Sequence, residues 1–89
     1  MRASKDMLLR EIAGEHILVP VGEAAARFQG MITLNGSGLL LWKRLGHECT
    51  EEDLAAALMD EYEVDLETAR EDVRKFLAKM EQAGILEKD

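Results

Sequence analysis

Apolar positions follow two different patterns along this chain, and the change comes near residue 35. Before it, apolar residues fall in short runs separated by glycines. Met7-Leu8-Leu9-Arg10-Glu11-Ile12 precedes the turn signal Gly14-Glu15. His16-Ile17-Leu18-Val19-Pro20-Val21 then follows, rich in β-branched residues and bounded by Gly14 and Gly22. Such runs predict two strands joined as a hairpin. Pro20 has no N–H for a ladder, which assigns it to a strand end or an unpaired edge. Glu23-Ala24-Ala25-Ala26-Arg27 has helical propensity but is too short to stand alone, so residues 22–29 read as a connection. Met31-Ile32-Thr33-Leu34 predicts a third strand, started by Gly30 and stopped by Asn35. Met1 to Asp6 reads as a loose leader.

Beyond Asn35 the spacing becomes helical. Leu39, Trp42 and Leu45 recur at turn intervals, with Asn35 as N-cap and Gly46 as stop, which predicts a helix over residues 36–45. Gly36 and Gly38 lower helix propensity in its first turn. Thr50 opens a second helix, with Glu51, Glu52 and Asp53 where the helix dipole favours negative charge. Its apolar stripe is Leu54, Ala55, Leu58, Met59 and Tyr62. Asp65 caps a third, with the stripe Leu66, Ala69, Val73, Phe76, Leu77 and Met80, ending at Gly84. Ile85-Leu86 returns as a short apolar tail against the core. The order is β-β-β-α-α-α in one domain of 89 residues, without repeats or an internal linker.

Charge and composition narrow the function. The formal net charge is −7, which disfavours a phosphate-backbone partner, since nucleic-acid affinity rests on Lys and Arg. The second helix, Thr50 to Tyr62, carries neither. No apolar run approaches the ~20 residues of a membrane span, and Arg10 and Glu11 interrupt the N-terminal apolar stretch where a signal peptide would need its core. Cys49 is the only cysteine, so an internal disulfide is excluded and a reducing cytoplasm is expected. His47 and Cys49 flank a helix start, but two ligands do not make a zinc site. Gly36-x-Gly38 lacks the spacing of a phosphate loop. With no nucleophile, base and orienting group to assemble, the expectation is a binding module, not an enzyme, with no cofactor and no metal.

The order and spacing of several short motifs resemble the PqqD-like family, small proteins of coenzyme PQQ biosynthesis whose domain recurs as a recognition element for ribosomally made, post-translationally modified peptides. The motifs are Gly30-Met31-Ile32-Thr33-Leu34-Asn35, Trp42, Thr50-Glu51-Glu52-Asp53-Leu54, Tyr62-Glu63-Val64-Asp65, Asp72-Val73 and Gly84-Ile85-Leu86. The resemblance covers about residues 8–86. The first turn around Gly36 and Gly38 and the long connection over residues 22–29 depart from the family pattern. The resemblance implies an α+β, winged-helix-like fold: a three-stranded antiparallel sheet followed by three α-helices. It also implies that the leader segment of a precursor peptide adds as a strand to the edge of the third strand, with its side chains in the groove against the last helix. A modifying enzyme, such as a radical-SAM protein, is the implied protein partner.

Strand addition is chemically reasonable, because an edge strand offers unpaired N–H and C=O groups to an extended peptide. Alternation along Met31, Ile32, Thr33 and Leu34 sends one pair to the core and the other to the flank of the groove. On the last helix Arg70, Val73, Arg74 and Leu77 are neighbours at i+3 and i+4, an apolar floor with two cations at its margin for acidic leader residues. The competing account makes Val73 and Leu77 plain core and pairs Arg70 and Arg74 with Glu67 and Glu71. Two other functions compete: a winged-helix DNA-binding regulator, which wants a basic recognition helix, and a structural or oligomerisation domain. The chain is expected as a monomer or a strand-exchanged dimer.

Overall fold

A computed structural model describes residues 1–27 and 30–87. The elements run β1 (Arg2–Ala3), β2 (Met7–Ile12), β3 (Glu15–Pro20), α1 (Gly22–Arg27), β4 (Ile32–Leu34), α2 (Gly36–Arg44), α3 (Glu51–Glu61), α4 (Leu66–Gln82) and β5 (Leu86–Glu87). The expected α+β layout holds: a three-stranded antiparallel sheet in the order β2-β3-β4, followed by three helices. Phe28 and Gln29, the end of the expected connection, lie outside the described residues.

The β2–β3 hairpin turns on two residues with positive φ, Ala13 (53°) and Gly14 (82°), the pattern of a type I′ turn whose twist suits right-twisted strands. Glycine adopts it without strain; Ala13 carries a Cβ into the left-handed region. Pro20 ends β3 opposite Met7, beyond the stretch His16–Leu18 that pairs with β4, and the next bond to the β2 side is given by the Val21 N–H to the Asp6 carbonyl at 2.8 Å. β4 pairs with β3 through His16↔Leu34, Ile17↔Thr33 and Leu18↔Ile32, and its other side is an edge.

Side-chain oxygens cap all three long helices. Asn35 Oδ1 accepts from the Gly38 N–H at 2.8 Å and Asp65 Oδ1 from the Thr68 N–H at 2.8 Å. Thr50 and Asp53 form a reciprocal capping box. Each cap satisfies N–H groups that a helix start leaves without partners. The glycines that weaken the first turn of α2 have a packing reason. A Cβ on Gly38 would lie 3.1 Å from Asn35 Oδ1 and 3.5 Å from Leu34 Cδ2, and one on Gly36 would lie 3.3 Å from the Tyr62 hydroxyl. Helix propensity gives way to close approach between the strand end, the cap and the end of α3.

Two apolar clusters make the core. One joins the sheet to α1, α2 and the C-terminal segment through Met7, Leu18, Ala24, Ile32, Leu34, Trp42, Met80 and Ile85. The other lies among α2, α3 and α4, with Leu41, Leu45, Leu54, Leu58, Val73 and Leu77. Half-buried Phe76 packs against both. Among the described residues no polar or charged residue is buried, so burial of aliphatic surface drives the folding.

Two expectations change. The connection holds a helix, α1, because buried Ala24 anchors it to the first cluster, supplying the packing that so short a helix needs. The N-terminal residues are not loose: β1 pairs antiparallel with β5. The Ala3 N–H donates to the Leu45 carbonyl at 2.8 Å, and the Ser4 N–H to that of Ile85 at 2.9 Å. Two segments too short to signal themselves hold each other, and the apolar tail becomes a strand.

Candidate functional site

β4 is one of the two edge strands of the three-stranded sheet, β2 being the other, and it is the one that stands beside α4. Ile32 and Leu34 point inward and are buried to 7% and 6% exposure, while Thr33 is exposed and Met31, immediately before the strand, is 62% exposed. Alternation thus splits this segment as its sequence suggests.

Beside this edge lies a cleft of about 820 Å³, within the usual range for binding sites. Thr33, Leu34 and Asn35 form one wall and His16, paired with Leu34, continues it. The first turn of α2, from Gly36 to Gly38, closes one end. The opposite wall is α4, through Asp72, Lys75, Phe76, Lys79 and Met80. Half-buried Phe76 brings apolar surface to the cleft, with fully buried Met80 behind it, and the rim carries both signs of charge. Lys75 pairs with Glu71 at 3.3 Å, both largely exposed, a pair worth a few tenths of a kcal/mol. Glu11 lies 3.8 Å from His16 Nε2. A smaller recess of about 380 Å³ shares Asn35, Gly36, Ser37 and Asp72 with the cleft and adds Leu58, Tyr62 and Val64.

The residues singled out in the sequence divide between two places. Thr33 and Leu34 line the cleft, Ile32 sits in the core beneath it, and Met31 lies at the start of the edge. Val73 and Leu77 are buried in the helical cluster, at 1% and 6% exposure. Arg70, Val73 and Arg74 border a separate hollow of about 230 Å³ with Glu51 and Glu52. At 100° per residue, Arg70 and Arg74 lie roughly 150° around α4 from the flank made by Asp72, Lys75 and Lys79. The structure therefore brings β4 together with that other flank. These three residues and Phe76 recur at i, i+3, i+4 and i+7, a stripe legible in the sequence, but nothing in the sequence says which flank of the helix faces β4.

A third hollow is lined by Arg44, His47, Cys49 and Asp53 among others. Among the described residues no group of three or more His, Cys, Asp or Glu could hold a metal ion. Burial raises the Cys49 thiol above its ordinary pKa, which favours the protonated form. In the cleft, Ser37 Oγ donates to Asn35 Oδ1 at 3.1 Å, so the hydroxyl serves the cap and not a base. No helix among the described residues is long and apolar enough to cross a membrane.

The family model described as coenzyme PQQ synthesis protein D (PqqD) matches residues 15–86. The chain belongs to the PqqD family. The match takes in β3, β4 and helices α1 to α4, and so every wall of the cleft. Among solved structures the chain resembles TbiB1 in complex with the TbiA(beta) leader peptide, with 25% identity and a TM-score of 0.79 over 100% of this chain and 98% of that one. The fold is also that of lasso peptide synthetase B1 complexed with its leader peptide, with 21% identity and a TM-score of 0.74 over 94% and 93% of the two chains. No protein of curated function matches the chain.

Proposed function

We propose that this PqqD-family protein binds the leader segment of a ribosomally synthesised precursor peptide as an added strand on β4 and presents the peptide to a modifying enzyme. The observation that carries the reading is the free β4 edge beside an 820 Å³ cleft walled by α4, in a fold shared with a protein solved with a leader peptide. The chain is a carrier and not a catalyst, and works in the cytoplasm.

Energetics require both the edge and the cleft. A strand beside Met31 to Leu34 makes about three main-chain hydrogen bonds, together worth roughly 2–4 kcal/mol net. Micromolar binding needs about 8 kcal/mol. The remainder must come from side chains, at about 1.5–3 kcal/mol for each large apolar group buried. Two such groups packed in the cleft beside Phe76 close the gap, so the edge supplies general affinity and the cleft supplies choice. Lys75 and Lys79 then meet acidic leader residues at the rim.

Titration of isotope-labelled protein with a synthetic leader, taken from the precursor encoded beside its gene, tests this. Amide shifts concentrated at residues 31–37 and 72–79 are the expected result. Shifts centred on Arg70, Arg74 and the start of α3 would move the peptide to the other flank of α4. A saturating leader that shifts neither region refutes the reading. A DNA-binding role is disfavoured by α3 (Glu51–Glu61), which carries five carboxylates and no Lys or Arg.

A further inference from the structure

The recess beside the cleft differs from it in charge. Helix α3 ends at Tyr62, where the backbone turns to extended values (φ −128°, ψ 150°). This turn sets the Tyr62 ring close to the start of α2, so that a Cβ on Gly36 would lie 3.3 Å from its hydroxyl. Glycine leaves that space open. The result is the recess of about 380 Å³, lined by exposed Tyr62 and half-buried Val64, with buried Leu58 behind them. Asp72 stands where the recess meets the cleft and lines both. Its carboxylate has no ion-pair partner among the described residues. Among those residues no Lys, Arg or His lines the recess. The last turn of α3 carries Asp60 and Glu61 and no basic residue, at the end of the helix where the backbone dipole is already negative.

Resting on the leader-binding reading, we infer that this recess is a subsite for one Lys or Arg side chain of the bound leader, and that Asp72 selects it. Continuity with the cleft gives the route. Leader side chains opposite Ile32 and Leu34 stand on the cleft side of the sheet, and alternation brings the next one on that side across from Gly36. It enters about 7 Å farther along the strand, at the mouth of the recess. Charge then gives the occupant. An acidic side chain meets Asp72 and the negative end of α3. An apolar one makes no use of the carboxylate. A basic side chain matches both parts of the site: its methylene stem lies against Tyr62 and Val64, and its cation meets Asp72 beside the face of the ring. The leader is thus expected to carry a Lys or Arg two residues from an apolar anchor. Acidic leader residues belong at the other end of the groove, with Lys79.

The test uses the synthetic leader of the precursor encoded beside the gene, with each of its Lys and Arg residues replaced in turn by Ala, and Asp72→Asn in the full chain. Anisotropy at two ionic strengths reads affinity, and circular dichroism verifies folding. One leader replacement should weaken binding to the wild type roughly 5–30-fold. Asp72→Asn should weaken binding of the native leader about 3–5-fold at low salt and less at high salt. In that variant the cost of the same leader replacement should shrink by the same factor, the mark of a direct pair. A leader that binds the wild type within about twofold after every replacement overturns the inference and leaves the leader reading standing. So does an Asp72→Asn variant whose loss is equal with native and replaced leaders. If Tyr62→Leu removes the cost of replacing an aromatic or aliphatic leader residue while Asp72→Asn changes nothing, the recess takes an apolar side chain and the inference is overturned. A wild-type protein that holds no leader overturns both readings. If Asp72→Asn does not fold, the wild type carries the test: Glu at the sensitive leader position should bind more weakly than Ala at low salt, and equal binding overturns the inference.

Discussion

Phe76 separates stability from binding, because it touches both core clusters and also lines the cleft. Truncating a fully buried Phe to Ala costs about 3–5 kcal/mol. Part of this ring already faces the cleft, so about 2–3 kcal/mol is expected for Phe76→Ala. A domain of 89 residues has a total stability on the order of 4–13 kcal/mol, so the variant should remain mostly folded. Its midpoint should fall by roughly 10–20 °C, at about 4–8 °C per kcal/mol. The leader loses the aromatic side of its groove, an apolar contact of about 1–2 kcal/mol, which weakens binding roughly 5–30-fold. Phe76→Leu should recover most of both. Thermal unfolding by circular dichroism and leader anisotropy at 15 °C read the two effects separately. A variant that loses stability but keeps leader affinity within about twofold refutes the cleft as the peptide site. A variant with unchanged stability refutes the bridging role of the ring.

The two flanks of α4 make opposite predictions: with an acidic leader, Lys75→Glu with Lys79→Glu should weaken binding roughly 3–30-fold at low salt, and Arg70→Glu with Arg74→Glu should not, as read by anisotropy at two ionic strengths. Ala13→Asn should relieve the left-handed strain of the hairpin turn and stabilise the fold by about 1 kcal/mol, seen as a raised urea midpoint. Removing residues 1–5 deletes β1 and its hydrogen bonds to Leu45 and Ile85 and should cost roughly 2–3 kcal/mol in the same assay. Hydrogen bonding from Thr68 holds the Asp65 carboxyl below its ordinary pKa of 3.8, so the stability it contributes is present above that value and lost as pH falls from there through the lowered one. Asp65→Asn keeps a capping oxygen but cannot titrate, and should flatten the midpoint-against-pH curve below about pH 4.

Much of the fold was legible because local signals agreed with one another. The hairpin announces itself at Gly14, the caps at Asn35, Thr50 and Asp65, and the helical cores in stripes at i, i+3 and i+4. The inward pair of β4, Ile32 and Leu34, follows from alternation alone. Other parts carried no local signal. β1 and β5 are two residues each and exist only because the fold brings them together. α1 is helical because Ala24 finds the core. Gly36 and Gly38 read as poor helix formers, and only the nearness of Tyr62, Leu34 and Asn35 explains them.

The candidate site divides in the same way. Its strand, its helix and the resemblance to a peptide-recognition family were all present in the order of residues. A helix displays its residues all around its axis, however, and the apolar stripe of α4 has a charged flank on either side. Packing against α3 turns Arg70 and Arg74 toward Glu51 and Glu52 and leaves Asp72, Lys75, Phe76 and Lys79 facing β4. By itself the sequence determined which elements form and which of their faces are apolar, because propensity, capping and periodicity are local. Which flank of α4 faces β4 was decided only by tertiary structure, because the rotation of one element against another depends on contacts between residues far apart in the chain.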